Sequence, residues 1–414
     1  MWLIALGGLL YTISLHQFAY HSPVAGGSGI QGMIETFCDA GSFLCVLVGT
    51  WGQGRTFKTS GAVLCFAIFG LFSLSSAWRS FSPSLSSARA ALFLLIIATI
   101  YLVSQAQVAQ EYLVAVYRSY VALLVIGIGV GLVLPSLYPL VSSDEFTGRT
   151  RLGVFDTAPG MLGEQTALLL LLAPLLQGRV GRLSQVFLFG FNVACGGKTN
   201  TALLCFLLLV RAVVMTKRWR SWRGVTVMGC ATCLLAIGAL SLGGTGSEDS
   251  LLAKPAEAIY GHQIGKDATS LDGRAALWAT SMELLPQAQL LGFGFNGVRE
   301  ILLKTAAWSG SSHNGYLEMA LTSGLIGFAF FIGAIVLVVR SCLRAPPSMR
   351  LYLGSVVIFI LIVDLIGSDF SFPACFGSMV LAWIYYQAER SRIQSVAARV
   401  AFSDFHTRLR TALN

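Results

Sequence analysis

The residue types able to do chemistry gather between Asp272 and Gly327, in three short stretches: DGRAALW, LGFGFNG and SSHNGYLEMALTSGLIG. His313 stands at the mouth of the long apolar run that closes this region. An imidazole is the one side chain whose ordinary titration falls near neutral pH. Placed at a helix N-terminus it is biased toward the neutral, proton-accepting form, which is what a general base requires. The plainer alternative is a capping or interfacial histidine. Asn314 opens the apolar run, with Ser311 and Ser312 before it as expected N-caps, and Glu318 lies five residues on, a weak candidate for orienting the ring.

Cations on the same side of the membrane would complete a site. Arg149, Arg151, Lys198 and Arg274 fall in three loops or span ends that a bundle could bring to one mouth. Guanidinium forks and an ammonium point charge suit a diphosphate without help from a metal. The alternative is that each is solvated or paired, with Asp144, Glu145, Asp156 or Asp272. Lys198 is the least easily dismissed, because GGKTN forms a very short turn between two apolar runs. Ser270 or Asp272 caps the helix expected at 272–285, which should stop before Pro286. Gly292, Gly294 and Gly297 fit GxGxxG, but no strand or βαβ pattern surrounds them, so a tight turn ahead of a helix at 296–308 is the better reading. Val298, Ile301, Leu302 and Ala306 would give that helix an apolar face for the membrane. There is no HExxH, no carboxylate pair at metal spacing and no nucleophile elbow, so chemistry free of metal and cofactor is expected.

The elements that must hold these residues are membrane helices. Of 414 residues 55% are hydrophobic and 11% charged, and mean hydropathy is +0.72, which leaves too little polar surface for a water-soluble domain. Crossing the hydrocarbon takes about 20 apolar residues, and about twelve runs qualify: 2–20, 34–51, 61–77, 88–105, 115–134, 159–177, 184–196, 199–216, 224–243, 314–339, 351–367 and 374–388. The expected fold is an all-α polytopic membrane protein, a single domain over 1–414. One large outer loop at 244–312 bears short helices, including 251–260, and a basic tail spans 389–414. The formal charge of +9 then reads as a topology signal. Arg55 with Lys58, Arg179 with Arg182, the run from Lys217 to Arg223, and Arg340, Arg344 and Arg350 fall in every second loop, which puts those loops and both termini in the cytoplasm. The tail reads equally as an amphipathic helix on anionic lipid or as a solvated end. All nine Cys lie in or beside apolar runs, where they serve as small core residues.

RLGVFDTAPGMLGEQ at 151–165, GGKTNTALL at 196–204 and the three stretches above occur in the order seen in the O-antigen ligase and polymerase superfamily, which includes exopolysaccharide polymerases. The chain resembles that superfamily over 151–327. The resemblance implies a multi-spanning class C glycosyltransferase of the bacterial inner membrane. It would take a glycan from undecaprenyl diphosphate at the periplasmic face to an acceptor hydroxyl, with inversion and without metal or nucleotide sugar. It makes His313 the catalytic residue, Arg274 the basic residue of the family's GR pair and Lys198 a residue that is often Arg in ligases. Lys at that place looks more like exopolysaccharide polymerases, so polymerase is the first expectation and ligation to lipid A-core the alternative. A transporter or flippase for lipid-linked oligosaccharide is the reading from another class. It would require repeated halves around a midplane site, whereas the polar residues here concentrate on one side.

Overall fold

The computed structural model describes residues 1–16, 30–53, 61–136, 138, 140–143, 150–155, 157, 159–176, 179–195, 198–215, 274–305, 310–365, 367 and 376–413. In chain order the helices are α1 (Trp2–Ser14), α2 (Ile30–Gly49), α3 (Gly61–Ser75), α4 (Pro83–Gln105), α5 (Ala109–Val133), α6 (Pro159–Leu172), α7 (Arg182–Ala194), α8 (Lys198–Met215), α9 (Arg274–Ala288), α10 (Arg299–Thr305), α11 (Gly315–Arg344), α12 (Pro347–Val363) and α13 (Phe376–Leu413). Among the described residues six helices are long and apolar enough to cross a membrane, and Trp2–Ser14, Asn200–Val214 and Met349–Val363 are shorter apolar helices. The run at 224–243, the helix at 251–260 and Asp272 lie outside the described residues.

The two ends of the bundle differ in chemistry. At one end Arg179 pairs with Glu111 at 3.1 Å, Arg350 donates to the Ala345 carbonyl at 3.2 Å and Arg392 pairs with Glu389 at 2.8 Å. The opposite end collects the close of α3, the start of α4, the start of α11 and the loop after α9, and the chemistry-bearing residues lie there. Between the ends the core is aromatic and aliphatic. Phe66, Phe69, Phe93, Phe295 and Phe331 form one tilted and edge-to-face cluster joining α3, α4, α11 and the loop after α9.

Several local expectations need correction. Between α5 and α6, Val141–Ser143 (β1) pairs antiparallel with Thr150–Leu152 (β2), with Ser142 opposite Arg151. A lone hairpin is marginal in water. This one is anchored where Gly153 donates to the Leu140 carbonyl at 2.9 Å, and Leu140 packs over Gly131 of α5. The helix expected to stop before Pro286 continues through it to Ala288. A proline in the last turn removes one hydrogen bond, and here Arg79 caps the exposed carbonyls, donating to Gln287 at 3.0 Å and Ala288 at 3.4 Å. The helix expected from 296 begins only at Arg299, because Asn296 takes φ 54° in the glycine turn. Leu302 of this helix and Val298 just before it face protein rather than membrane, buried with Leu277, Leu284, Phe293 and Leu321, while Ala306 lies outside the described residues. Finally, α13 runs unbroken from the last apolar segment through the basic tail, since no Pro or Gly follows Gly377 to interrupt it.

Candidate functional site

The site is built around a break in α11. Gly324 has φ 64° and ψ −172°, a conformation open essentially to glycine alone, so the helix cannot pass through it unbroken. The carbonyls of Leu321 and Thr322 would normally accept from residues four further on. Instead they accept the amides of Phe293 and Gly294, both at 2.8 Å, while Leu325 donates to Gln289 at 2.9 Å. The LGFGFNG stretch thus slots into the break and satisfies backbone groups that would otherwise be orphaned beside lipid. Two positive-φ glycines, Gly292 and Gly294, make the approach possible: a Cβ on Gly292 would meet the Thr322 carbonyl oxygen at 2.5 Å.

The break also sets the height of the site. Leu325 to Arg344 is 20 residues, ~30 Å of helix and enough to cross the hydrocarbon; α12, with 17 residues, rises ~25 Å beside it. Gly315 donates to the Asp364 carbonyl at the end of α12 at 2.7 Å, and the Tyr316 hydroxyl reaches the Leu361 carbonyl at 2.9 Å. The first nine residues of α11 therefore run from the end of α12 across to the break instead of prolonging the span. His313 stands just ahead of them, beside the end of α12.

Three attachments fix the turn that carries His313. Asn314, not Ser311 or Ser312, is the N-cap, its side-chain oxygen accepting from Tyr316 at 3.1 Å and Leu317 at 3.0 Å while its amide donates to the Leu365 carbonyl at 3.1 Å. Ser311 and Ser312 fall short because the chain reverses at His313, whose φ of 48° lies in the left-handed region. Glu318, fully buried, accepts the Ser312 amide at 3.0 Å and so grips the backbone just ahead of His313. The Ser312 hydroxyl donates to the Asn314 carbonyl at 3.0 Å. His313 itself is half-buried. Asn314→Ala should remove the cap and the tie to α12, costing about 1 kcal/mol and read as a lower thermal midpoint.

The remaining expected residues are placed by backbone. Lys198 is the first residue of α8, Arg274 the first of α9, and Arg151 is central in β2. Arg149 lies outside the described residues. The α8 start is tied to α6: Asn192 donates to the Gly163 carbonyl at 2.6 Å and accepts from Thr201 at 2.9 Å. Glu164, next along α6, approaches Gly367 beyond α12, within 3.0 Å of where a Cβ would stand. Through α6, the Lys198 turn, the Glu164 carboxylate and the His313 turn belong to one end of the bundle.

Three further cations stand at that end, none of them flagged by the sequence motifs. Arg79 caps α9 and lies over the Phe293 ring, 5.6 Å from its centroid. Arg89 of α4 pairs with Glu35 of α2 at 2.7 Å, nearly sealed from solvent. Arg299 runs against Gly310, where a Cβ would come within 2.7 Å of its Cγ and Nη1. Burial, and then the charge of Arg89, pull Arg299 below the ordinary guanidinium range, while Glu318 opposes them. Their signal is nonetheless present in the sequence, since all three are positive residues on the side that the charge asymmetry leaves poor in them.

Residues 185–332 match the family model described as O-antigen ligase, a stretch from α7 through the break in α11 that includes Lys198, Arg274 and His313. No curated protein matches the chain. The family supports an O-antigen ligase- or polymerase-type glycosyltransferase acting on glycan or lipid-linked substrates in a multi-pass membrane protein. The matched stretch, a little over a third of the chain, holds the His313 turn and the break in α11 and supports kinship with the O-antigen ligase and polymerase superfamily.

Proposed function

We propose that the protein is a polysaccharide polymerase of the bacterial inner membrane, working at the periplasmic face on a glycan carried by undecaprenyl diphosphate. The observation that carries this reading is the His313 turn: a histidine in a left-handed backbone conformation, tied to α11 and to the end of α12, within the family match. Backbone strain of this kind, about 1–3 kcal/mol per residue, persists where the surroundings over-determine it and is common at active sites.

In the proposed reaction the Nε2 or Nδ1 of neutral His313 takes the proton of an acceptor hydroxyl as its oxygen bonds the anomeric carbon. The bond from that carbon to the phosphate oxygen breaks, the diphosphate leaves with the electron pair, and the anomeric centre inverts. Arg274, Lys198 and Arg151, and in this reading Arg149, stabilise the departing charge. Asn314 and Glu318 hold the turn. The acceptor in a polymerase is a second lipid-linked glycan. In a ligase it is lipid A-core, and Lys198 where ligases often carry Arg favours the first.

Purified protein in nanodiscs, given an undecaprenyl-diphosphate repeat unit with EDTA, with or without lipid A-core, should build a ladder of lengthened lipid-linked glycan without needing the core. Product formed only on lipid A-core would make it a ligase. No transfer to either acceptor, with movement of the lipid-linked glycan across the bilayer, would replace the enzyme with a transporter.

A further inference from the structure

We infer that Arg299 is a positioning residue for His313, acting through Glu318 and the 310–312 turn rather than by touching substrate. This rests on the proposed role of His313. The geometry has three parts. The Arg299 side chain lies tight against Gly310, three residues before His313, at 2.7 Å from a would-be Cβ. Glu318 accepts the Ser312 amide at 3.0 Å, one residue before His313. Glu318 is fully buried, and a carboxylate removed from water needs a compensating charge. Arg299 is the cation whose electrostatic influence reaches it.

The chain of charge extends further. Arg89, itself paired with buried Glu35, also acts on Arg299. The Arg89–Glu35 pair joins α4 to α2, and Arg89, a like charge, repels the Arg299 head, leaving Glu318 as the charge that attracts it. The Ser82 hydroxyl bonds the Glu300 carboxylate at 2.9 Å and fixes α10 to the start of α4. Arg299 is therefore held from both sides: by the α10 backbone on a docked loop, and by the opposing charges around its head. With Arg299 in place Glu318 is held where it accepts the Ser312 amide. Without it the carboxylate turns away, and His313 loses its left-handed seat.

Three variants test this: Arg299→Gln, Glu318→Gln and Gly310→Ala. The last leaves every charge in place, but its methyl displaces the Arg299 head. Gly310 is not among the positive-φ glycines, so the backbone accepts alanine. Each should lower kcat, toward a loss on the order of 10²-fold for the two Gln variants, with donor KM within about twofold. The Arg299→Gln/Glu318→Gln double variant should be no worse than either alone, because both act through one contact. Arg299→Lys, which keeps the charge, should recover most of kcat. Hydrogen exchange read on the same proteins should show the 311–314 amides opening roughly tenfold faster in all three variants, and this needs no turnover.

Unchanged exchange at 311–314, multiplying losses in the double variant, or a raised KM at wild-type kcat would each overturn the inference; the last would make Arg299 a direct donor ligand. A wild-type protein inactive on the lipid-linked glycan would instead count against the polymerase reading, and the exchange data would still decide the positioning role.

Discussion

Replacing His313 should cost about 10²–10⁴-fold in glycan transfer, the range a positioned general base contributes. Alanine alone is an ambiguous test. His313 sits at φ 48°, where a non-glycine residue is tolerated mainly when it is Asn, Asp or His, so alanine removes the base and adds strain together. His313→Asn separates the two: asparagine accepts the left-handed conformation and keeps a polar head, but takes no proton at neutral pH. Both variants should lose transfer alike, and the Asn variant should keep its thermal midpoint and its donor KM. Single-turnover product on gels, at saturating undecaprenyl-diphosphate glycan, measures it. A His313→Asn protein retaining more than about a tenth of wild-type transfer would remove the ring as base and return His313 to a capping role.

Residue types and run lengths made membrane-crossing helices legible, but not their number: about twelve runs are expected, and six of the described helices are long and apolar enough to cross. The starts of α3 at Gly61, α6 at Pro159 and α11 at Gly315 fall within a residue or so of where the apolar runs begin, because span length is dictated by the bilayer rather than by partners. His313 stood out for the same local reason. What stayed hidden was long-range. Through TSGLIGFAFF nothing in composition interrupts a helix, so the break at Gly324 reads as one more tolerated glycine. It becomes visible only when the 289–294 segment is seen exchanging hydrogen bonds with it. Arg89 and Arg299 escaped likewise: each has an acidic residue in range, but Glu35 is 54 positions from Arg89 and Glu318 lies on another helix. The GxGxxG pattern reads as a tight turn and forms one, with positive φ at Gly292 and Gly294. Its docking role needed the partner surface.

The same docking predicts the largest structural effect. Gly292→Ala and Gly324→Ala should each unseat the loop from the α11 break. At Gly292 a methyl would collide with the Gly324 amide nitrogen and stand 2.5 Å from the Thr322 carbonyl oxygen; at Gly324 it would stand 2.5 Å from the Gly292 amide and the Leu290 carbonyl oxygen. These obstacles are backbone on both sides, held by the very hydrogen bonds that define the junction, so no side chain can swing aside. Strain at a glycine-only conformation contributes about 1–3 kcal/mol and forced overpacking about as much again, so the expected loss is about 2–6 kcal/mol. That is a large share of the margin of a typical domain. Because the junction carries α9, α10 and the outer part of α11 together, transfer activity should vanish with it. Gly129→Ala is the control: Gly129 lies exposed in α5 with nothing within 4 Å of its Cβ position, and alanine there should be neutral or stabilise by about 0.5–1 kcal/mol. Thermal unfolding in detergent with activity on the same samples decides it. Wild-type midpoints in the Gly292 and Gly324 variants would mean that the loop does not hold the break, and the left-handed turn at His313 would then need another support.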